Sequence, residues 1–209
     1  ADLSVPVAIT IPQDSITFTT DFTGSLSAPS ILGTTLANLN WTVTGGLTSS
    51  GTSTTINLSG NVGGAVVTIF ADNIDAATGI TLSNNNITSI DITKATAVDK
   101  ITIDTCSFSS IDLSKNVNVT HLILISNSNL TSLDLSNNTD LTKLTLKLLG
   151  LTSLDVSANV LLEKFGCFEN SVTSLDLSNN TVLDTITVRD NDLSDLNIQN
   201  GNNTNLGIF

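Results

Sequence analysis

Apolar residues recur along this chain in a fixed frame. TSLDLSNN stands at 131–138 and again at 173–180, beside TSLDVSAN at 152–159, SSIDLSKN at 109–116 and TSIDITKA at 88–95. SDLNIQN at 194–200 is a weaker copy. The first apolar anchors are Ile90, Ile111, Leu133, Leu154, Leu175 and Leu196, in steps of 21, 22, 21, 21 and 21 residues. Extended backwards, the unit is apolar at places 1, 4, 6, 11, 14 and 16. In 162–182 these are Leu162, Phe165, Cys167, Val172, Leu175 and Leu177. The other units begin at Ala77, Val98, Val119, Leu141 and Leu183. The unit at 119–140 has one extra residue before Leu130, and the last has two in its NGNN turn. Leu206-Gly207-Ile208-Phe209 starts a truncated seventh unit.

Places 4 and 6 alternate with polar neighbours, as do 14 and 16, so each predicts a short strand with one face inward. One such coil cannot bury its apolar face alone, whereas stacked coils share a continuous core. The pattern therefore predicts an all-β solenoid with two short strands per repeat. Asn recurs at place 9 (Asn85, Asn127, Asn170, Asn191) and place 19 (Asn116, Asn138, Asn159, Asn180). Asn tolerates left-handed backbone and bonds turn groups, so both columns are expected at corners, with amides bonding from rung to rung.

The string LEKFGCFENSVTSLDLSNN at 162–180 resembles the short, 21-residue bacterial leucine-rich repeat of internalin-type proteins and flavobacterial surface proteins. Cys167 stands where that subtype often has Cys, and NGNNTNL at 200–206 resembles one of its late repeats. The resemblance covers 77–209. It implies leucine-rich repeat coils and a secreted or surface-exposed binding scaffold, and it carries over no ligand.

The register separates the two cysteines. Cys106 is at place 9 and Cys167 at place 6, three coils later. Rungs spaced by about 4.8 Å put them roughly 14 Å apart along the axis, whereas a disulfide needs Cα atoms within about 7 Å. Two free, mostly buried thiols are expected.

Residues 1–65 lack the frame. Alternation in SITFTTDF, LNWTV and TINLS predicts strands, and no amphipathic helix is evident. This region is expected to be a β-rich N-terminal cap or small β domain. In a second version the cap spans roughly 1–33 and degenerate repeats begin at about 34. Ala1 opens the chain without Met, after removal of either a signal peptide or an initiator Met.

Composition then narrows the function. Only 12% of residues are charged and 4% aromatic, Met and Tyr are absent, and mean hydropathy is positive. This is too apolar for a disordered acidic tail. Net charge −12 with seven Lys plus Arg argues against nucleic-acid binding. No apolar stretch reaches the length of a membrane span. GxSxG, HExxH, P-loop and EF-hand strings are missing. The expectation is no enzyme, no cofactor and no dedicated metal site.

Two outward columns remain. Place 15 reads Asp91, Asp112, Asp134, Asp155, Asp176. It is expected to be an outward ladder bonded by Ser or Thr at places 13 and 17, such as Ser132, Ser136, Ser153 and Ser157. A divalent-cation column on Asp112, Asp134, Asp155 and Asp176 is a weaker alternative, since Ca²⁺ takes oxygen ligands. The other strand presents Lys100, His121, Lys143 and Lys164 at place 3, and Ile125, Lys147, Phe168 and Arg189 at place 7. Five of the seven Lys and Arg lie there. Ile123, Ile125, Leu148, Leu149 and Phe168 are expected to add exposed apolar area, giving a binding face with a basic rim. The competing expectation is that these variable places drift.

The reading that follows is a non-enzymatic extracellular surface protein, binding a protein or glycan on a cell surface. The alternative is a structural subunit of an extracellular fibre or virion, stacking through an uncapped end at Leu206, Ile208 and Phe209 as a homo-oligomer. Ice binding by threonine columns is a third reading, weakened because place 5 is interrupted at Ile123 and Gly166.

Overall fold

The computed structural model describes residues 75, 77–83, 87–201 and 207–208, with the strands at 15–20, 25–27, 30–32, 40–44, 49–51, 55–57 and 65–70. Asn85, Leu206 and Phe209 lie outside the described residues, as does the side chain of Ile208.

Each repeat forms one coil, and its places 3–7 supply one strand of a parallel sheet. The strands are Gly79–Ser83, Lys100–Asp104, His121–Asn127, Lys143–Leu149, Lys164–Phe168, Thr185–Thr187 and Gly207–Ile208. Pairing is place for place: Ile101 lies beside Ile80 and Leu122, and Leu146 beside Cys167. A one-residue slip would turn every Leu and Ile outward, so the apolar pattern itself fixes this register. Gly207 and Ile208 pair with Thr185 and Ile186, continuing the stack.

The second alternating run forms a parallel pair at Ser174–Asp176 and Asp195–Asn197. Across 111–113, 133–135 and 154–156 it makes no ladder among the described residues, yet Leu113, Leu135 and Val156 are buried there. Places 1, 4, 6, 11 and 16 fill one narrow core, which includes Phe108 and Phe165. Each such side chain contributes roughly 1.5–3 kcal/mol by leaving water. Cys106 and Cys167 are free and buried, and burial pushes both thiols up to about 11.

The place-19 asparagines form the predicted rung-to-rung ladder. Asn138 Nδ2 donates to Leu113 O (3.2 Å) and Asn116 O (2.9 Å) of the coil before. Asn159 Nδ2 donates to Leu135 O (3.1 Å) and Asn138 O (2.8 Å). Asn116, Asn180 and Asn200 extend the series.

The left-handed corner is not where Asn predicted it. Place 8 holds it instead, in Thr105, Ser126, Leu148, Glu169 and Asp190, with φ of 51–56°. Place 9 points inward behind that corner, which also corrects Leu149. Leu149 replaces the corner Asn of its coil and is buried, 5% exposed, while Leu148 is 44% exposed. Leu148 therefore combines an exposed apolar side chain with a backbone region unfavourable to it. Leu148→Gly is expected to raise stability by about 0.5–1 kcal/mol. Urea unfolding should show a higher midpoint with an unchanged slope.

The extra residue of the 119–140 unit is accommodated at one point. A Cβ on Gly150 would stand 2.5 Å from the Ser128 carbonyl oxygen, so only glycine lets the next coil pass.

The N-terminal strands are antiparallel and meet both runs of the first coil. Ser15–Thr20 pairs with Ile87–Asp91, and Ser30–Leu32 pairs with Gly79–Ser83. Asn40–Thr44 and Ala65–Phe70 lie in the same sheet as Ser15–Thr20, outside the parallel column. They cover strand edges that a bare solenoid end would expose.

Candidate binding face

Alternation in the parallel strands sends places 4 and 6 inward and leaves 3, 5 and 7 on one broad outward face. Lys100 and Lys164 are exposed there, and His121, Ile123, Ile125, Lys143, Lys147 and Phe168 are half-buried. Pairing sets His121 between Lys100 and Lys143, and Lys143 beside Lys164.

The cations fall into two groups. Lys147 and Arg189 both reach Glu169, at 3.4 and 3.3 Å, and Arg189 also pairs with Asp190. Their heads lie 5.7 and 5.0 Å from the Phe168 ring centre, within cation–π range. Phe168 is thus part of a surface cluster rather than of the core. Lys100, Lys143 and Lys164 have no carboxylate within 4.0 Å among the described residues. Lys143 and Lys164 stand directly beside each other on neighbouring strands, where like charges repel.

The face also has a depression. Gly166 interrupts the place-5 column, and around it stand Lys143, Thr145, Lys164, Phe168, Thr185 and Thr187. A Cβ on Gly166 would lie 3.2 Å from Phe168 Cε1, so the ring edge fills part of the space a side chain would take. The interrupted threonine column was visible in the sequence; the ring leaning into the gap was not.

The Asp column is exposed and internally occupied. The Oδ1 atoms of Asp112, Asp134, Asp155 and Asp176 accept the backbone N–H of Ser114, Ser136, Ser157 and Ser178 at 2.8–2.9 Å. Asp91 accepts both the N–H and the hydroxyl of Thr93. The partner is thus place 17, and Ser132 and Ser153 at place 13 make no such bond. Among the described residues no three His, Cys, Asp or Glu side chains converge as a metal-binding group.

Hydrogen bonds from Ser136, Ser157 and Ser178, and from the Ser114 backbone, hold these four carboxyls below their ordinary range. Their folded pKa is depressed, so the stability they add is present above the ordinary value of about 3.9. It is lost as pH falls through that value towards the folded one. Melting temperature should fall below about pH 4. The fall should be shallower in a variant with all four changed to Asn.

Coil period, parallel register and buried asparagine ladder together define a leucine-rich repeat solenoid. Its coil, of about 21 residues, is like that of solved bacterial proteins of the internalin type. No protein-family model and no curated protein matches the sequence, so structure carries the likeness. The chain is similar to the functional domain of InlJ from Listeria monocytogenes, which includes a cysteine ladder, at 29% identity and TM-score 0.60. That match covers 65% of this chain and 30% of the other. An internalin, inlF, from the same organism matches at 21% identity and TM-score 0.55, over 66% and 42% of the two chains. Internalin C2, also from Listeria monocytogenes, matches at 17% and 0.52, over 72% and 76%. The chain therefore spans less than half the length of the first two, and the two less similar matches bear on fold alone. Among the described residues no helix is long and apolar enough to cross a membrane.

Proposed function

We propose that this chain is an extracellular or surface-exposed recognition module, not an enzyme. Residues 77–209 form its repeat domain and the N-terminal β region its cap. It binds an anionic macromolecular partner through the outward face of the parallel sheet. The carrying observation is the lysine column at Lys100, Lys143 and Lys164, without a carboxylate partner among the described residues of a protein of net charge −12. An acidic partner relieves the repulsion between Lys143 and Lys164 and gains from the half-buried apolar side chains of Ile123, Ile125 and Phe168 on the same face.

The test is a panel of immobilised acidic and neutral polysaccharides and proteins, probed with purified protein. Lys147→Ser with Phe168→Ser should weaken binding at least tenfold, about 1.4 kcal/mol. Because Phe168 is at the surface, this pair should lower stability by no more than about 1 kcal/mol. Asp134→Asn with Asp155→Asn on the other column should leave binding unchanged. Equal loss from both pairs would remove the assignment of this face.

A further inference from the structure

Place 5 carries threonine at Thr81, Thr102, Thr145 and Thr187 and is interrupted at Ile123 and Gly166; Gly166 lies beside Lys143 and Lys164, which stand on adjacent strands with no carboxylate partner among the described residues. The gap has Lys143 and Lys164 on one side, the Phe168 ring on the other, and Thr145, Thr185 and Thr187 around it. We propose that this notch seats a carboxylate-bearing sugar of a linear acidic polysaccharide lying along the solenoid axis. The inference rests on the outward face being the recognition surface.

Three observations select this ligand. An anion between Lys143 and Lys164 screens two like charges that no carboxylate of the described chain reaches, whereas Lys147 and Arg189 already hold Glu169. The walls combine hydroxyls with an aromatic edge, matching the hydroxyl and C–H surfaces of a sugar better than an acidic side chain alone. The column also runs in the right direction: Lys164, Lys143, His121 and Lys100 stand on successive parallel strands, so a linear polyanion lying along the axis passes more than one cation.

The probes are hexagalacturonate, its methyl ester and hexaglutamate, titrated into the whole chain. Hexagalacturonate should bind about tenfold tighter than hexaglutamate, and the uncharged ester should not bind. Lys143→Gln with Lys164→Gln should cost about tenfold or more. Gly166→Thr puts a side chain into the notch without changing charge and should cost about tenfold while the protein stays folded by circular dichroism. Unaltered binding in Gly166→Thr, or equal affinity for hexaglutamate, overturns the notch. Binding of hexaglutamate but not hexagalacturonate overturns the polysaccharide and leaves the recognition face standing. Failure of every acidic ligand in the panel to depend on Lys143 and Lys164 overturns both.

Discussion

Replacing Asn159 with Ala lowers the unfolding free energy by about 1–3 kcal/mol. Asn159 is fully buried, and its amide donates to two carbonyls of the preceding coil, Leu135 O and Asn138 O. Truncation removes one donor from each carbonyl, but Leu135 O still accepts from Asn138 N and Asn138 O from Leu141 N, so each lost bond costs roughly 0.5–1.5 kcal/mol. Part of that is offset, because Asn159 Oδ1 has no partner among the described residues and its removal deletes a buried unsatisfied acceptor. In a solenoid each coil touches only its neighbours, so the loss falls on one coil-to-coil interface. Urea unfolding should show it as a lower midpoint. Asn179→Ala, on the exposed neighbouring column, should stay within about 0.5 kcal/mol of the parent.

Lys164→Glu moves stability and binding in opposite directions. Lys164 sits directly beside Lys143 on the parallel sheet. Exchanging a like-charge pair for an opposite one is worth about 0.2–1 kcal/mol, towards the lower end on an exposed face. A slightly higher melting temperature is expected, diminishing with salt. The same change puts a carboxylate where an acidic partner's anion rests. Affinity should fall by about tenfold or more, again most at low salt. A lower melting temperature would contradict the repulsion between Lys143 and Lys164, and unchanged affinity would contradict a role of the column in binding.

The sequence revealed the coil because its apolar places are simple. Leu, Ile and Val at places 4 and 6 need only be apolar and of the right size, and the 21-residue step orders them without ambiguity. Place-19 Asn was legible for a similar reason, since an amide repeated at a turn every coil has few physical uses. The left-handed corner at place 8 was hidden because Thr105, Ser126, Leu148, Glu169 and Asp190 share no side-chain signature. The two flanking strands impose that backbone on whatever residue stands there. Leu149 was misplaced when read as a continuation of exposed Leu148. The repeat frame sets it at place 9, where the buried Asn127 stands in the coil before. On the candidate face, the sequence located the basic column. Which lysines are neutralised depended on where Glu169 points, and repeat spacing does not carry that.

The central claim is that partners bind on the outward face of the parallel sheet. Its most direct test is backbone amide chemical-shift mapping during titration with hexagalacturonate. The account predicts shifts concentrated at 100–104, 121–125, 143–147, 164–168 and 185–187, with 112, 134, 155 and 176 unmoved. Shifts centred on the Asp column, or a response spread evenly over both faces, would contradict it.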